Sequence, residues 1–108
     1  MANTFTRYIN RNVGITPVTM VTAASSTQTT VIGLTAANTT TSPITVDVYL
    51  VVSAVNYYLV KTATVPVGGS LALFGADGKL VLNTSDAFTV VSSAATSADF
   101  ILSVLEIT

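Results

Sequence analysis

The sequence predicts an all-β protein that folds as a single antiparallel β-sandwich, immunoglobulin-like or jelly-roll-like, with eight to nine strands. Three observations support this fold class. Short runs of Val, Ile, Leu and Thr recur from Gln28 to the last residue, with turn residues between them at the spacing typical of sandwiches and barrels. The helix formers Glu, Gln, Lys and Arg are scarce. With 108 residues and no linker or repeat, residues 1–108 are expected to form one domain.

Nine segments follow the strand pattern. Alternation is clearest in residues 45–53, where Val46, Val48 and Leu50 share one face. The last segment is apolar on both faces, which predicts a central strand or one whose outer face meets a neighbouring subunit. The predicted strands are residues 4–10, 18–22, 29–37, 45–53, 57–65, 70–74, 79–82, 87–92 and 100–107.

Turn residues separate these segments. Residues 55–56 are predicted as a hairpin tip, and residues 66–69 (PVGG) as a turn, because glycine adopts positive φ without steric cost. The Asp-Gly pair in residues 75–78 (GADG) predicts a hairpin between its two flanking strands. Residues 29–37 are expected to alternate strictly, with Val31, Gly33 and Thr35 on one face.

The composition indicates a neutral surface. Hydrophobic residues make up 50% of the chain and charged residues 8%, with a net charge of -1, so Thr, Ser and Asn must cover much of the exterior. Such a surface gives little self-repulsion and suits a subunit packed among other subunits. A secreted or salt-tolerant monomer would also fit. The absence of cysteine excludes disulfides.

The residue inventory argues against an enzyme. The chain has no His, Cys or Trp, so its only acid–base candidates are five carboxylates. Asp77 and Asp86 occupy turn positions, and Asp47 and Glu106 lie within predicted strands as solvent-facing or interface residues. Asp77, Asp86 and Asp99 lack calcium-ligand spacing. We therefore predict no catalytic, metal-binding or cofactor-binding residue and no cofactor.

Nucleic acid and membrane are not expected as partners. Four scattered basic residues cannot neutralise a run of phosphates. The most apolar stretch is far shorter than the roughly 20 residues of a membrane-spanning helix. The first residues have no apolar stretch typical of a signal peptide, so synthesis in the cytoplasm is expected.

The N-terminal stretch is the best candidate for a subunit interface. Phe5, Arg7, Tyr8 and Arg11 lie close together there, and Tyr and Arg are enriched at interface hot spots. Residues 1–13 are interpreted either as a docking arm or as an ordinary first strand. Tyr57 and its neighbour Tyr58 point to opposite faces of a strand, so only one could stack on a sugar.

Several segments carry a family resemblance. They are residues 30–48 (TVIGLTAANTTTSPITVDV), 58–61 (YLVK), 65–71 (VPVGGSL), 79–82 (KLVL) and 102–107 (LSVLEI). Together they resemble small virion structural proteins of tailed bacteriophages, especially cyanophages and other phages of marine bacteria. The resemblance is one of overall pattern from about Thr30 onward and contains no active-site motif.

The resemblance implies a non-enzymatic component of the virion. It favours a capsid decoration or cement protein that bridges and stabilises major capsid subunits. The alternative is a tail, baseplate or fibre-associated β-sandwich that contacts host surface polysaccharide; a carbohydrate-binding module outside any phage is a third class. The expected partners are the major capsid protein or other virion subunits. Two arrangements stay open: a monomer inserted singly between capsomers, and a homo-oligomer such as a trimer that buries outer-face residues such as Tyr49, Val51 or Ile101. The strands that are apolar on both faces favour the oligomer.

Overall fold

The computed structural model describes residues 3–73 and 79–108, and these form nine β-strands. In the described part of the chain no helix is long and apolar enough to cross a membrane. The strands are β1 (Asn3–Val13), β2 (Val18–Thr22), β3 (Gln28–Asn38), β4 (Ile44–Val52), β5 (Val55–Val65), β6 (Ser70–Leu73), β7 (Leu80–Leu82), β8 (Ala87–Ser92) and β9 (Ala98–Ile107).

The strands form two antiparallel sheets. The five-stranded sheet has the order β1-β9-β3-β6, and β7 also pairs with β3. The four-stranded sheet has the order β2-β8-β4-β5. Because β6 pairs with Leu34–Ala37 and β7 with Thr29–Val31, these two short strands share one position beside β3. The molecule is thus a sandwich with four strand positions in each sheet, which confirms the predicted fold class.

The connectivity is that of a jelly roll. Consecutive strands alternate between the two sheets, except that β4 and β5 are neighbours in one sheet and β6 and β7 share a position in the other. In an immunoglobulin sandwich the first two strands lie in the same sheet, whereas here β1 and β2 lie in different sheets. Eight strand positions wound in this way correspond to the double-sheet jelly roll.

The core lies between the two sheets. Alternating apolar residues point inward from each strand, and Phe88 and Phe100 are the largest side chains with no exposed surface. Aliphatic side chains fill the space around these rings, and burying each is worth roughly 1.5–3 kcal/mol. The core residues are Val13, Met20, Val21, Ala23, Val31, Leu34, Ala36, Ile44, Val46, Val48, Val65, Leu82, Phe88, Val90, Ala98, Phe100, Leu102 and Val104.

The predicted strands match the observed ones to within a few residues, but alternation in β3 is not strict. A register shift lies between Val31 and Gly33, so Val31 and Leu34 are both buried although three positions separate them. An extra residue in one strand of a pair moves every later side chain to the other face. The predicted grouping of Val31 with Thr35 is therefore wrong.

Two predicted turns also need correction. The β4–β5 hairpin turns at Ser53 and Ala54, with φ of 51° and 65°, so the predicted tip at residues 55–56 belongs to β5. Residues 75–78 lie outside the described residues, but β6 and β7 follow one another along β3, so they do not form the predicted hairpin. The turn at residues 66–69 is confirmed, with φ of 71° at Gly68 and the Gly69 N–H donating to the Pro66 carbonyl at 3.0 Å.

Candidate interaction surface

The N-terminal segment is a sheet-edge strand. β1 pairs with β9 in regular register from Asn3 to Asn10, so the interpretation as a first strand holds. Phe5 and Arg7 are exposed on the outer side of the sheet, whereas Tyr8 points toward the core and packs against its margin. This arrangement follows from the alternation of side chains along a strand. It leaves the outer side of β1 uncovered.

A first row of side chains crosses the outer face of the five-stranded sheet. Phe5 pairs with Leu105, Leu105 with Thr30, and Thr30 with Val81. Phe5 is 74% exposed and Val81 65%, while the two central residues are half-buried. Residues in register on adjacent strands lie about 5 Å apart and form a continuous ridge. This ridge is apolar at both ends.

A second row runs parallel to the first. Ile9 pairs with Ile101, Ile101 with Thr35, and Thr35 with Ala72. Ile9 is 60% exposed and Ile101 48%. We call the two rows together, with the residues between them, the apolar face.

Arg7, Ser103 and Gly33 lie between the two rows and pair in that order across β1, β9 and β3. A Cβ added at Gly33 would meet no other atom within 4 Å, so the space above this glycine is open. The strip between the two rows is therefore polar or small at these three positions.

Positive charge borders the apolar face. Arg7 and Arg11 are both exposed on β1, and within residues 3–73 and 79–108 neither guanidinium has a carboxylate partner. Asp99 is nearby, but its Oδ1 accepts the backbone N–H of Asn12 at 2.9 Å. A shallow hollow at this end of the face is lined by Ile9, Arg11, Asp99 and Ile101. The arginines are therefore available to acidic groups on a partner.

Of the four predicted interface residues, three are exposed and one is half-buried. Phe5, Arg7 and Arg11 are exposed. The Tyr8 hydroxyl donates a hydrogen bond to Glu106 Oε2 at 2.9 Å, and Thr6 Oγ1 donates to Glu106 Oε1 at 3.1 Å. The half-buried Tyr8 therefore ties β1 to β9.

The Tyr8–Glu106 contact also changes the acidity of the tyrosine. Burial, followed by the hydrogen bond to Glu106 and its negative charge, raises the pKa of Tyr8 above the usual 10.0. Glu106 lies on the same side of β9 as Phe100 and Leu102, at the margin of the core, as the alternation along this strand predicts. It is half-buried, so part of its side chain remains accessible to solvent.

Sequence reasoning missed part of the surface. Ile9 could have been found from its alternation with Phe5 and Arg7. Leu105 and Val81 could not, because their position beside Phe5 depends on the strand order and register, which local patterns do not give.

The outer face of the four-stranded sheet differs from the apolar face. Here Thr19, Thr89, Tyr49 and Tyr58 pair in that order across β2, β8, β4 and β5. The Tyr49 and Tyr58 rings lie 5.0 Å apart, and Lys61 Nζ lies 4.4 Å from the centre of the Tyr58 ring. We call this row with Lys61 the tyrosine face. Tyr49 is only 7% exposed, so it cannot supply the trimer contact expected of it.

The carboxylates act as local structural groups. Asp86 Oδ2 accepts the backbone N–H of Asn83 at 2.9 Å, as expected for a turn-forming residue. Asp47 Oδ1 accepts the backbone N–H of Thr62 at 2.7 Å, where β5 departs from regular pairing. Asp77 lies outside the described residues. In the described residues no three acidic side chains come together as a metal site would require.

A polar cleft lies at one end of the sandwich. It is lined by the polar residues Ser26, Thr27, Gln28, Asn83 and Thr84, together with the apolar residues Val81, Leu82 and Ile107. Their hydroxyl and amide groups could hydrogen-bond a neutral polar ligand such as a sugar. The cleft is shallow and open to solvent.

Comparison with known proteins adds no relative to these observations. The chain matches no protein-family model, and no curated protein is similar to it in sequence.

Proposed function

We propose that the protein is a non-enzymatic structural protein of a tailed-phage virion, placed on the capsid as a decoration or cement protein that bridges major capsid subunits. The apolar face is the observation that carries this proposal. Phe5, Ile9 and Val81 are each at least 60% exposed, on one side of one sheet. Contiguous apolar surface of this kind marks an interaction site in soluble proteins.

The size of the face favours a repeated contact over an isolated one. Four strand positions about 4.8 Å apart and the five residues from Phe5 to Ile9, at about 3.3 Å each, give an area of about 300 Å². Docking would then bury roughly 600 Å² in total, less than a specific complex of two molecules usually buries. Many such contacts in a symmetric shell act together, so weak individual binding suffices.

The remaining properties agree with this role. A net charge of -1 and a charged fraction of 8% give little repulsion between neighbouring copies. Jelly rolls occur in viral capsids, although they also occur in lectins, so the fold alone does not assign the function. The exposed Arg7 and Arg11 would pair with carboxylates on the capsid surface.

Cryo-electron microscopy of virions encoded by the same genome as this chain tests the location. Copies that tile the head, with the apolar face against the major capsid protein, are expected. A virion that lacks the protein would overturn the proposal, and so would copies that meet the head through the tyrosine face.

A binding experiment tests the surface. The double variant Phe5→Ser/Ile9→Ser should lose co-sedimentation with undecorated capsids, because both apolar rows lose an anchor. Val55→Ser is the matched control, since Val55 is 50% exposed but lies on β5 of the other sheet. Equal loss in both variants would contradict docking through the apolar face.

The polar cleft favours a second candidate function. In a tail, baseplate or fibre protein, the residues Ser26, Thr27, Gln28 and Thr84 would contact host surface polysaccharide. Glycan-array binding that Gln28→Ala abolishes, together with copies confined to the tail, would support this alternative over capsid decoration.

A further inference from the structure

The four edges of the two sheets differ in their capacity to pair with another strand. β6 and β7 have four and three residues, and β2 has five with a register shift. β5 has eleven residues, but two register shifts interrupt its pairing, and Thr62 has a φ of 58°. β1 alone among the described edges is both long and regular, from Asn3 to Asn10.

An edge strand of this kind leaves a row of backbone N–H and C=O groups unpaired. Short edges, bulges and charged side chains are the usual means by which proteins prevent another strand from adding there. β2, β5, β6 and β7 are short or bulged. The regular part of β1 is neither, and it has a single charged side chain, Arg7. The edge of β1 is thus structurally ready for strand addition.

We propose that β1 pairs with β1 of a second copy of this chain, antiparallel about a two-fold axis at Thr6. The two five-stranded sheets would then join into one sheet of eight strand positions. A two-fold contact is self-complementary, so one strand can supply both sides. This inference rests on the edge geometry and does not depend on a role in a virion.

The side chains select this register. An axis at Arg7 would place the two Arg7 side chains directly opposite one another, and like charges in that position are destabilising. An axis at Thr6 instead sets each Arg7 opposite Phe5 of the second copy, where a guanidinium can lie over an aromatic ring. It also confines the pairing to residues 3–9, within the regular part of β1.

Pairing at β1 would also enlarge the surface offered to a further partner. The two apolar faces would lie side by side on one sheet and together present about 600 Å². A single face of about 300 Å² is well below the roughly 800 Å² per partner of a standard interface, and the paired faces come closer to it.

Cysteine cross-linking tests both the pairing and its register. The chain has no cysteine, so Thr6→Cys introduces a single thiol. Opposed residues at the axis lie within reach of a disulfide. Mild oxidation should convert most of the Thr6→Cys protein into a covalent dimer of twice the 11.1 kDa chain mass. Thr64→Cys, on the β5 edge, is the matched control and should remain largely monomeric.

Sedimentation of the unmodified protein supplies a measurement that does not depend on the cysteine variant. We expect a concentration-dependent dimer. A monomer at every concentration overturns the proposal, as does a dimer that cross-links through Arg7→Cys and not through Thr6→Cys. Circular dichroism of each variant verifies that it is folded, so a failure to cross-link cannot be attributed to unfolding.

Discussion

The two outer faces of the sandwich are built from similar strands but differ in how far their large side chains are exposed to solvent. On the tyrosine face, Tyr49 is covered by Tyr58, and Lys61 lies over the Tyr58 ring. On the apolar face, Phe5 and Ile9 have no such cover and remain 74% and 60% exposed. One sheet thus buries Tyr49 under its own side chains, whereas the other leaves Phe5 and Ile9 exposed in the monomer.

The difference shows how outer surfaces can be assigned to stability or to binding. A side chain that is buried within the monomer contributes to folding whether or not a partner is present. A side chain that stays exposed in the monomer contributes only when something covers it. Substitutions on the tyrosine face should therefore change the free energy of unfolding, and substitutions on the apolar face should change binding.

The largest expected effect separates the two faces directly. Tyr49→Ala should lower the free energy of unfolding by about 3 kcal/mol, because it removes a large buried ring. Phe5→Ala should change it by less than about 0.5 kcal/mol, since the Phe5 ring is mostly in water. Urea unfolding of both variants measures this contrast. Similar losses of unfolding free energy in the two variants would contradict the distinction between the two faces.

A smaller effect is expected at the bulge that shapes the tyrosine face. Asp47→Ala should cost about 1 kcal/mol, because the Thr62 N–H loses its acceptor at 2.7 Å. Asp47→Asn keeps an acceptor oxygen and should lose less. Urea unfolding measures both values, and equal losses in the two variants would show that the hydrogen bond is not responsible.

The tyrosines extend the comparison to alkaline pH. Burial and then the negative charges of nearby groups raise the pKa of Tyr49, as burial and Glu106 raise that of Tyr8. A raised folded-state pKa stabilises the protein below the unfolded value of about 10 and loses that contribution as the pH rises through the folded value. The free energy of unfolding should therefore fall as the pH rises from about 10 through the folded-state pKa of these tyrosines.

Phenylalanine variants assign this alkaline loss to the two side chains. Tyr8→Phe and Tyr49→Phe should each reduce the loss, and the double variant should reduce it further. The free energy of unfolding of each variant is measured from neutral pH to above the pKa of free tyrosine. Its slope against pH at the alkaline end gives the size of the loss. Identical slopes in the wild type and the double variant would contradict the assignment.

The sequence predicted the fold well because strand formation here is a local property. Alternation of Val46, Val48 and Leu50 and the turn residues around each run were enough to locate nine strands. The centrality of β9 also followed from its two apolar faces, and it is confirmed by pairing with both β1 and β3. These features depend only on nearby residues.

The candidate surface could be predicted only in part, because it depends on distant pairing. The clustering of aromatic and basic residues identified Phe5 and Arg7 on one strand of it, but not Ile9. The shift in β3 near Gly33 and the pairing of Val81 with Thr30 depend on residues far apart in the chain. The burial of Tyr49 was missed because its cover comes from Tyr58 on the neighbouring strand.

The smallest expected effect concerns the outermost layer of the tyrosine face. Lys61 Nζ lies 4.4 Å from the centre of the Tyr58 ring, close enough for a cation–π contact worth about 0.5 kcal/mol at an exposed site. A double-mutant cycle of Lys61→Met and Tyr58→Leu should therefore give a coupling free energy of about that size. The same cycle with Arg7→Met and Phe5→Leu on the apolar face should give a value near zero in the monomer, since no contact joins that pair. A coupling on the apolar face as large as the one on the tyrosine face would mean that both faces cover their own rings, and the distinction between them would fail.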